Sequence, residues 1–132
     1  MENIESVYQS LLQPSEALVS DMKSLDGDII ILGVGGKMGP DLARLAQRSV
    51  EKAGIKKKII AVARFSEPGL KEELTQLGIE TIKTDLLNDE QLQQLPESKN
   101  VLYLAGNKFG TTGNESFTWA MNTYLPARLV EN

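Results

Sequence analysis

Short apolar runs and longer amphipathic stretches alternate along the chain from Asp28 onward. The four apolar runs, rich in β-branched residues, read DIIILG, KKKIIAVARF, IETIKTD and KNVLYLAG in chain order. Continuous runs of this kind are typical of strands buried on both faces of a sheet. The stretches between them, PDLARLAQRSVEKAG, EPGLKEELTQLG and NDEQLQQLP, carry apolar residues at helical spacing. The pattern therefore predicts four strands that alternate with helices.

This alternation predicts an α/β fold in which helices cover both faces of a parallel sheet. Right-handed crossovers between parallel strands then give the strand order 3-2-1-4. That order is the first part of a Rossmann-type doubly wound sheet. We expect residues 28–132 to form this domain.

The helices between the strands have predictable inward faces and ends. The predicted inward residues are Leu42, Leu45, Ala46 and Val50 in the first helix, and Leu70, Leu74 and Leu77 in the second. Pro40 suits the first turn of its helix, and Gly54 suits its C-terminal cap. The last stretch, NESFTWAMNTYLPARLVEN, predicts a helix to the end of the chain with an interruption near Pro126.

Residues 1–27 predict a helical extension in front of the sheet. One apolar face is predicted for Ile4, Val7, Tyr8, Leu11 and Leu12, and a second short helix after Pro14 is predicted to bury Leu18, Met22 and Leu25. Ser15 is a suitable N-cap for the second helix. The extension is expected either to cover an edge or face of the sheet or to dock on another subunit.

Composition narrows the classes of function. The chain has 132 residues, a net charge of −4 and a pI near 4.9. Nucleic acid and anionic membranes are therefore poor partners, because binding them requires a basic surface. Without cysteine or histidine, disulfides, thiolate nucleophiles and the usual soft metal sites are excluded, and we expect no metal site. The N-terminus lacks the apolar run of a signal peptide, and no stretch approaches about 20 apolar residues; a cytoplasmic location is expected.

A glycine-rich turn joins the first strand to the first helix. Gly33, Gly36 and Gly39 are spaced G-x-x-G-x-x-G, and Gly35 adds a G-x-G. Lys37 and Met38 complete the turn. In this context the motif predicts a dinucleotide whose pyrophosphate meets free helix N–H groups. The alternative is a glycine-rich turn without a ligand.

A phosphate-binding loop of the G-x-x-x-x-G-K-[ST] type does not fit this turn. That motif would need glycine at position 31 and Ser or Thr at position 38, where the sequence has Ile31 and Met38. We therefore set aside a kinase or GTPase.

The end of the second strand indicates how the adenosine ribose is held. NAD-binding folds usually place an acid there, and NADP-binding folds offer an arginine. Here the chain has Arg64 and Ser66, with no acid from Ile55 through Ser66. Glu67 comes one residue later than expected for a ribose-binding acid. The sequence favours NADP over NAD, although Arg64 could instead stack over adenine or face solvent.

These features together resemble the extended branch of the short-chain dehydrogenase/reductase superfamily, the NAD(P)-dependent epimerase/dehydratase group. The resemblance covers Asp28 to Asn132 and rests on GVGGKMG, TDLLN, VLYLAG and WAMNTYLPARLVE. It implies that Asp85 contacts the adenine amino group and that Leu86 lines the adenine pocket. Asp85 has an alternative role as a helix N-cap or turn acid.

The same resemblance implies roles near the nicotinamide half of the cofactor. Ala105 and Gly106 would contact the ribose on the nicotinamide side or the pyrophosphate. Asn122 would support the active site from behind, or alternatively bond to neighbouring backbone as an ordinary polar helix residue.

Members of that family carry out hydride chemistry with a Tyr-x-x-x-Lys pair, in which the lysine lowers the pKa of the tyrosine. Four residues after Tyr8, Tyr103 and Tyr124 the chain has Leu12, Asn107 and Arg128. We therefore assign no catalytic residue. The chain is expected to be the cofactor-binding part of a longer enzyme acting on a sugar or sugar-like alcohol, with the small-molecule substrate bound only by that longer chain.

Two other functions stay open: a redox sensor that binds NAD(P) without catalysis, and an interaction domain without a cofactor. A sheet that stops at four strands would also leave an open edge on the fourth strand. We therefore expect homo-oligomers formed through this region, including the helix predicted for residues 117–129.

Overall fold

The computed structural model describes residues 3–105 and 125–131. Their helices are α1 (Ile4–Leu11), α2 (Glu16–Ser24), α3 (Gly39–Ala53), α4 (Leu70–Gln76), α5 (Asp89–Gln93) and α6 (Leu125–Glu131). Their strands are β1 (Ile29–Leu32), β2 (Ile59–Ala63), β3 (Glu80–Lys83) and β4 (Asn100–Tyr103). All strand pairs are parallel, and the sheet order is β3-β2-β1-β4. The predicted α/β fold and its 3-2-1-4 order are confirmed, as a Rossmann-like arrangement.

The strands bury side chains on both faces of the sheet because successive residues point to opposite sides. Ile29 and Ile31 of β1 belong to one core, and Ile30 and Leu32 belong to the other. The first core includes Ala43, Ala46 and Val50 of α3 and Leu70 and Leu74 of α4; the second includes Leu92 of α5 and Leu125 of α6. Helices therefore cover both faces, as the apolar runs predicted.

The buried face of α3 differs from the predicted stripe. Ala43, Ala46, Ser49 and Val50 are buried, whereas Leu42 and Leu45 are only partly buried. The small residues bring α3 close to the sheet, and the buried Ser49 hydroxyl donates to the Leu45 carbonyl at 2.7 Å. The helix ends at Gly54, whose φ of 67° fits the predicted cap.

Two leucines predicted to face the core are exposed instead. Leu25 and Leu77 are 40% and 41% exposed, and each is the C-cap residue of its helix. The chain leaves the helix at these positions, so the apolar stripe ends one residue early. The predictions for Leu25 and Leu77 were wrong for that reason.

The N-terminal extension forms the two predicted helices, and Ser15 caps α2 by accepting from the Leu18 N–H at 3.1 Å. Helix α2 packs on α3, and Met22 joins the first core. Helix α1 buries none of its residues. The predicted apolar face of α1 therefore lies largely outside the core.

Helix α6 is the described part of the predicted C-terminal helix, with Pro126 as its second residue, where proline is tolerated. No helix within the described ranges is long and apolar enough to cross a bilayer.

Candidate functional site

A cavity of about 420 Å³ lies at the carboxyl ends of the strands; we call it the sheet-edge cavity. It is lined by Gly33, Gly35, Gly36, Ala63, Arg64, Phe65, Ser66, Glu67, Leu70, Thr84, Asp85, Leu86, Leu87, Leu104 and Ala105. The segments that follow all four strands contribute to it. In open α/β sheets ligands bind at this edge, where the strand order reverses. Here the reversal lies between β1 and β4.

Gly33 is a glycine that the fold itself requires. Its φ is 86°, a backbone conformation that side chains disfavour. A methyl group on Gly33 would lie 2.5 Å from the Ala105 nitrogen and Cα. The turn therefore brings the ends of β1 and β4 together only because position 33 has no side chain.

Gly39 is also explained by packing within the protein. It is buried at the start of α3, and a methyl group there would lie 2.6 Å from the Val34 carbonyl carbon. Glycine at this position lets α3 begin directly against the turn that follows β1. Gly39 does not line the sheet-edge cavity.

Gly35 and Gly36 differ from these two because no packing contact requires them to be glycine. Both are exposed, both line the cavity, and neither has a left-handed φ. A methyl group on Gly35 would lie 3.7 Å from the Ala63 Cβ, and one on Gly36 would lie 4.0 Å from the Gly33 carbonyl oxygen. The bare backbone at these positions is open toward the cavity.

Helix α3 begins beside the cavity without a side-chain cap. Its N-cap residue is Met38, which is 74% exposed and makes no capping hydrogen bond. Lys37 and Met38 do not line the sheet-edge cavity. Lys37 lines a neighbouring depression together with Tyr8, Asp41, Arg44 and Glu73 of the helices, which we call the α1 groove.

The end of β2 provides one wall of the cavity. Arg64 and Ser66, the two residues predicted to hold the adenosine ribose, line this wall together with Glu67. The side chains of both residues make no hydrogen bond or ion pair with any described residue. Phe65, between them, has a φ of 50°, and its side chain packs against the first core. The type of residue at position 65 does not predict this strained backbone conformation.

The segment after β3 supplies the opposite wall. Asp85 is exposed and lines the cavity, while one of its carboxylate oxygens accepts from the Leu87 N–H at 3.1 Å. Asp85 therefore does act as a turn acid, the alternative that its position left open. Leu86 lines the cavity and is buried in the second core. Thr84, which the sequence did not single out, is buried in the same wall.

The end of β4 closes the site next to the glycine turn. Leu104 and Ala105 line the cavity, and the Leu104 N–H donates to the Leu32 carbonyl at 2.8 Å. Gly106 and Asn122 lie outside the described residues.

Neither described tyrosine has a pKa shifted toward that of a general base. The hydrogen bond to Asp41 raises the pKa of Tyr8, and burial raises the pKa of Tyr103. Within residues 3–105 and 125–131, no three acidic side chains gather to hold a metal ion.

A scan against models of protein families and a search of curated proteins both found nothing that matches the chain. The assignment of function therefore depends on the fold and on this cavity.

Proposed function

We propose that the chain binds a dinucleotide, NADP or NAD, in the sheet-edge cavity. The observation that carries this proposal is the pair Gly35 and Gly36. Packing does not account for the lack of side chains there, and both glycines lie at the cavity where β1 leads into α3. A pyrophosphate is the ligand that such a turn is suited to hold, since it accepts hydrogen bonds from bare backbone N–H groups beside a helix N-terminus.

The two walls of the cavity support a place for the adenosine half. Arg64 is a cation without an ion pair to any described residue, and a guanidinium pairs bidentately with a phosphate. Asp85 and Leu86 offer a carboxylate and an apolar side chain on the other wall. NADP is therefore favoured over NAD, with Arg64 and Ser66 on the 2′-phosphate.

For this chain we propose cofactor binding and no catalytic step. The nicotinamide supplies hydride chemistry, and a protein orients it against a substrate. Kinship with the extended short-chain dehydrogenases, and action on a sugar or sugar-like alcohol by a longer chain, are part of this proposal.

The test is a calorimetric titration of the chain with NADPH and with NADH. We expect both to bind and NADPH to bind more tightly. Arg64→Ala should weaken NADPH binding by about ten- to 150-fold, since hydrogen bonds to charged groups contribute about 1.5–3 kcal/mol, and it should change NADH binding little. Binding of neither cofactor would refute the proposal and favour an interaction domain.

Lys58→Ala is the matched control for Arg64→Ala. It removes one positive charge at the opposite end of β2, where Lys58 uses its backbone N–H rather than its side chain to bond Asp28. We expect no change in NADPH affinity. Equal losses in the two variants would show a general charge effect instead of a 2′-phosphate contact.

Self-association through β4 is a further part of the proposal. Among the described strands β4 pairs with β1 alone, and its Val101 and Leu102 are 52% and 39% exposed. Apolar side chains on an edge strand are a ready surface for a second chain. Light scattering at high protein concentration should show a species larger than a monomer; a monomer at all concentrations would contradict this.

A further inference from the structure

Helix α1 is held to the protein by polar contacts, while its apolar residues lie exposed. Ile4 and Leu11 are 89% and 75% exposed. An isolated helix of eight residues is unstable in water, so its contacts with the rest of the chain decide its position. Those contacts reach α3: Tyr8 donates to Asp41, and Arg48 donates to Gln9 at 2.8 Å.

Asp41 is the contact nearest to the proposed cofactor site. It is the third residue of α3, after Gly39 and Pro40. At this position in a helix a Glu or Gln side chain commonly folds back to bond the backbone N–H of the N-cap residue. The N-cap residue of α3, Met38, makes no side-chain capping bond, so the N–H groups of this turn are open to the Asp41 carboxylate, which is one methylene shorter than that of Glu.

The Asp41 carboxylate is instead engaged on both oxygens by other groups. Tyr8 donates to Oδ2, and Arg44 donates to Oδ1 at 2.9 Å. Arg44 also forms an ion pair with Glu73 of α4, so a third helix helps to hold the Arg44 guanidinium in place. These residues line the α1 groove, which shares Glu67 and Leu70 with the sheet-edge cavity.

We propose that Tyr8 is a positioning residue for the cofactor site: together with Arg44 it holds the Asp41 carboxylate and so keeps the first turn of α3 open to the phosphates of the dinucleotide. This rests on the proposed function. A carboxylate released at this end of α3 would compete with the phosphate for the same N–H groups and the same positive end of the helix dipole. Through Tyr8 the N-terminal extension sets the affinity of the site.

The Tyr8 hydroxyl is protonated at neutral pH and can donate, because an ordinary tyrosine has a pKa near 10 and the hydrogen bond to Asp41 raises the pKa of Tyr8 further. Tyr8→Phe removes this donor and leaves the ring.

The experiment measures NADPH affinity for the chain and for Tyr8→Phe, Asp41→Ala and the double variant. Tyr8→Phe should weaken NADPH binding by about two- to fivefold, the range that corresponds to one charge at a helix terminus. Asp41→Ala removes the competing carboxylate, so it should bind at least as tightly as the original chain. The double variant should match Asp41→Ala.

The sign of the Asp41→Ala effect separates this role from simple anchoring of α1. If the Tyr8–Asp41 bond only anchors the helix, both single variants weaken NADPH equally, which overturns the inference. Unchanged affinity in Tyr8→Phe overturns it as well. ADP-ribose, which has the pyrophosphate but no nicotinamide, should show the same order of affinities, and a different order also counts against the inference.

Failure of the proposed function gives a different result. In that case the original chain binds neither NADPH nor NADH, and both proposals fall together. If the original chain binds and the variants do not follow the expected order, only the role of Tyr8 is lost. Thermal unfolding of each variant establishes that it is folded before titration.

Discussion

The two ends of the sheet differ in how their polar groups are satisfied. At the amino end the Asn100 side-chain amide donates to the carbonyls of Asp26 and Asp28 at 2.8 and 3.1 Å. The Lys57 ammonium donates to two carbonyls, including that of Gly27 at 2.5 Å. At the carboxyl end, Arg64 has no such partner among the described residues. Among the described residues, side chains therefore satisfy the backbone carbonyls at the amino end of the sheet, whereas the Arg64 guanidinium at the carboxyl end stays unpaired.

This difference has a cause in the parallel arrangement of the strands. Each crossover helix begins near the carboxyl end of a strand, so its free N–H groups and positive dipole end gather there. Such groups attract anions. The amino end receives helix C-termini and loops, which the chain ties down with Asn100, Ser98 and Lys57.

The largest expected effect concerns the glycines that the fold requires. Gly33→Ala and Gly39→Ala should each lower the free energy of unfolding by about 3 kcal/mol, because a methyl group overlaps backbone atoms and position 33 also has a strained φ. Urea unfolding followed by circular dichroism measures this loss. A change below about 0.5 kcal/mol, the range of neutral surface substitutions, would contradict the packing argument.

One substitution removes several hydrogen bonds at the amino end of the sheet. Asn100→Ala should lower the free energy of unfolding by about 1–2 kcal/mol, since partly buried carbonyls lose their donor. NADPH affinity should not change, because this residue lies at the end of the sheet opposite the cavity. A loss of NADPH binding without a loss of stability would remove the distinction between the two ends.

The carboxyl end should respond in the reverse manner. Gly36→Ala should leave the free energy of unfolding within about 0.5 kcal/mol, because its methyl group meets no close atom. It should weaken NADPH by about tenfold, which corresponds to about 1.4 kcal/mol, since the backbone can no longer approach a pyrophosphate as closely. Unchanged NADPH affinity in a folded Gly36→Ala would contradict the role given to this glycine.

The smallest effect is expected at the ion pair between Lys99 and Asp26, whose side chains are 70% and 82% exposed. Lys99→Ala should give no measurable change in stability at pH 7, as is common for exposed pairs. Lys99 lowers the pKa of Asp26, so any contribution is present above the ordinary carboxyl pKa near 4 and is lost as the pH falls below it. A clear destabilisation at pH 7 would show that this loop contributes more than its exposure implies.

Much of the candidate site was predictable because its residues follow strand ends in the sequence. Gly35, Gly36, Arg64, Asp85 and Ala105 come from four separate segments, and the cavity brings them together. The parallel topology alone requires this, since the carboxyl ends of all strands meet at one edge. Lys37 belongs to the same turn but lines the α1 groove, because residues around a tight turn face different sides.

Some features had no signal in the sequence. The left-handed Phe65 is of this kind, since nothing in an aromatic side chain indicates a positive φ. The bond between Tyr8 and Asp41 joins residues that are 33 positions apart. Periodicity gave Tyr8 a place on an apolar face, whereas its hydroxyl found a polar partner on α3.

The sequence by itself determined the four strands, their order and the turn that carries the glycines, because local hydrophobic pattern and crossover handedness leave few other solutions. Only the tertiary structure decided what each glycine is for. A side chain at Gly33 or Gly39 would overlap backbone atoms of Ala105 or Val34, respectively. A side chain at Gly36 would overlap no atom. That distinction depends on distances between segments far apart in the chain, which no local pattern contains.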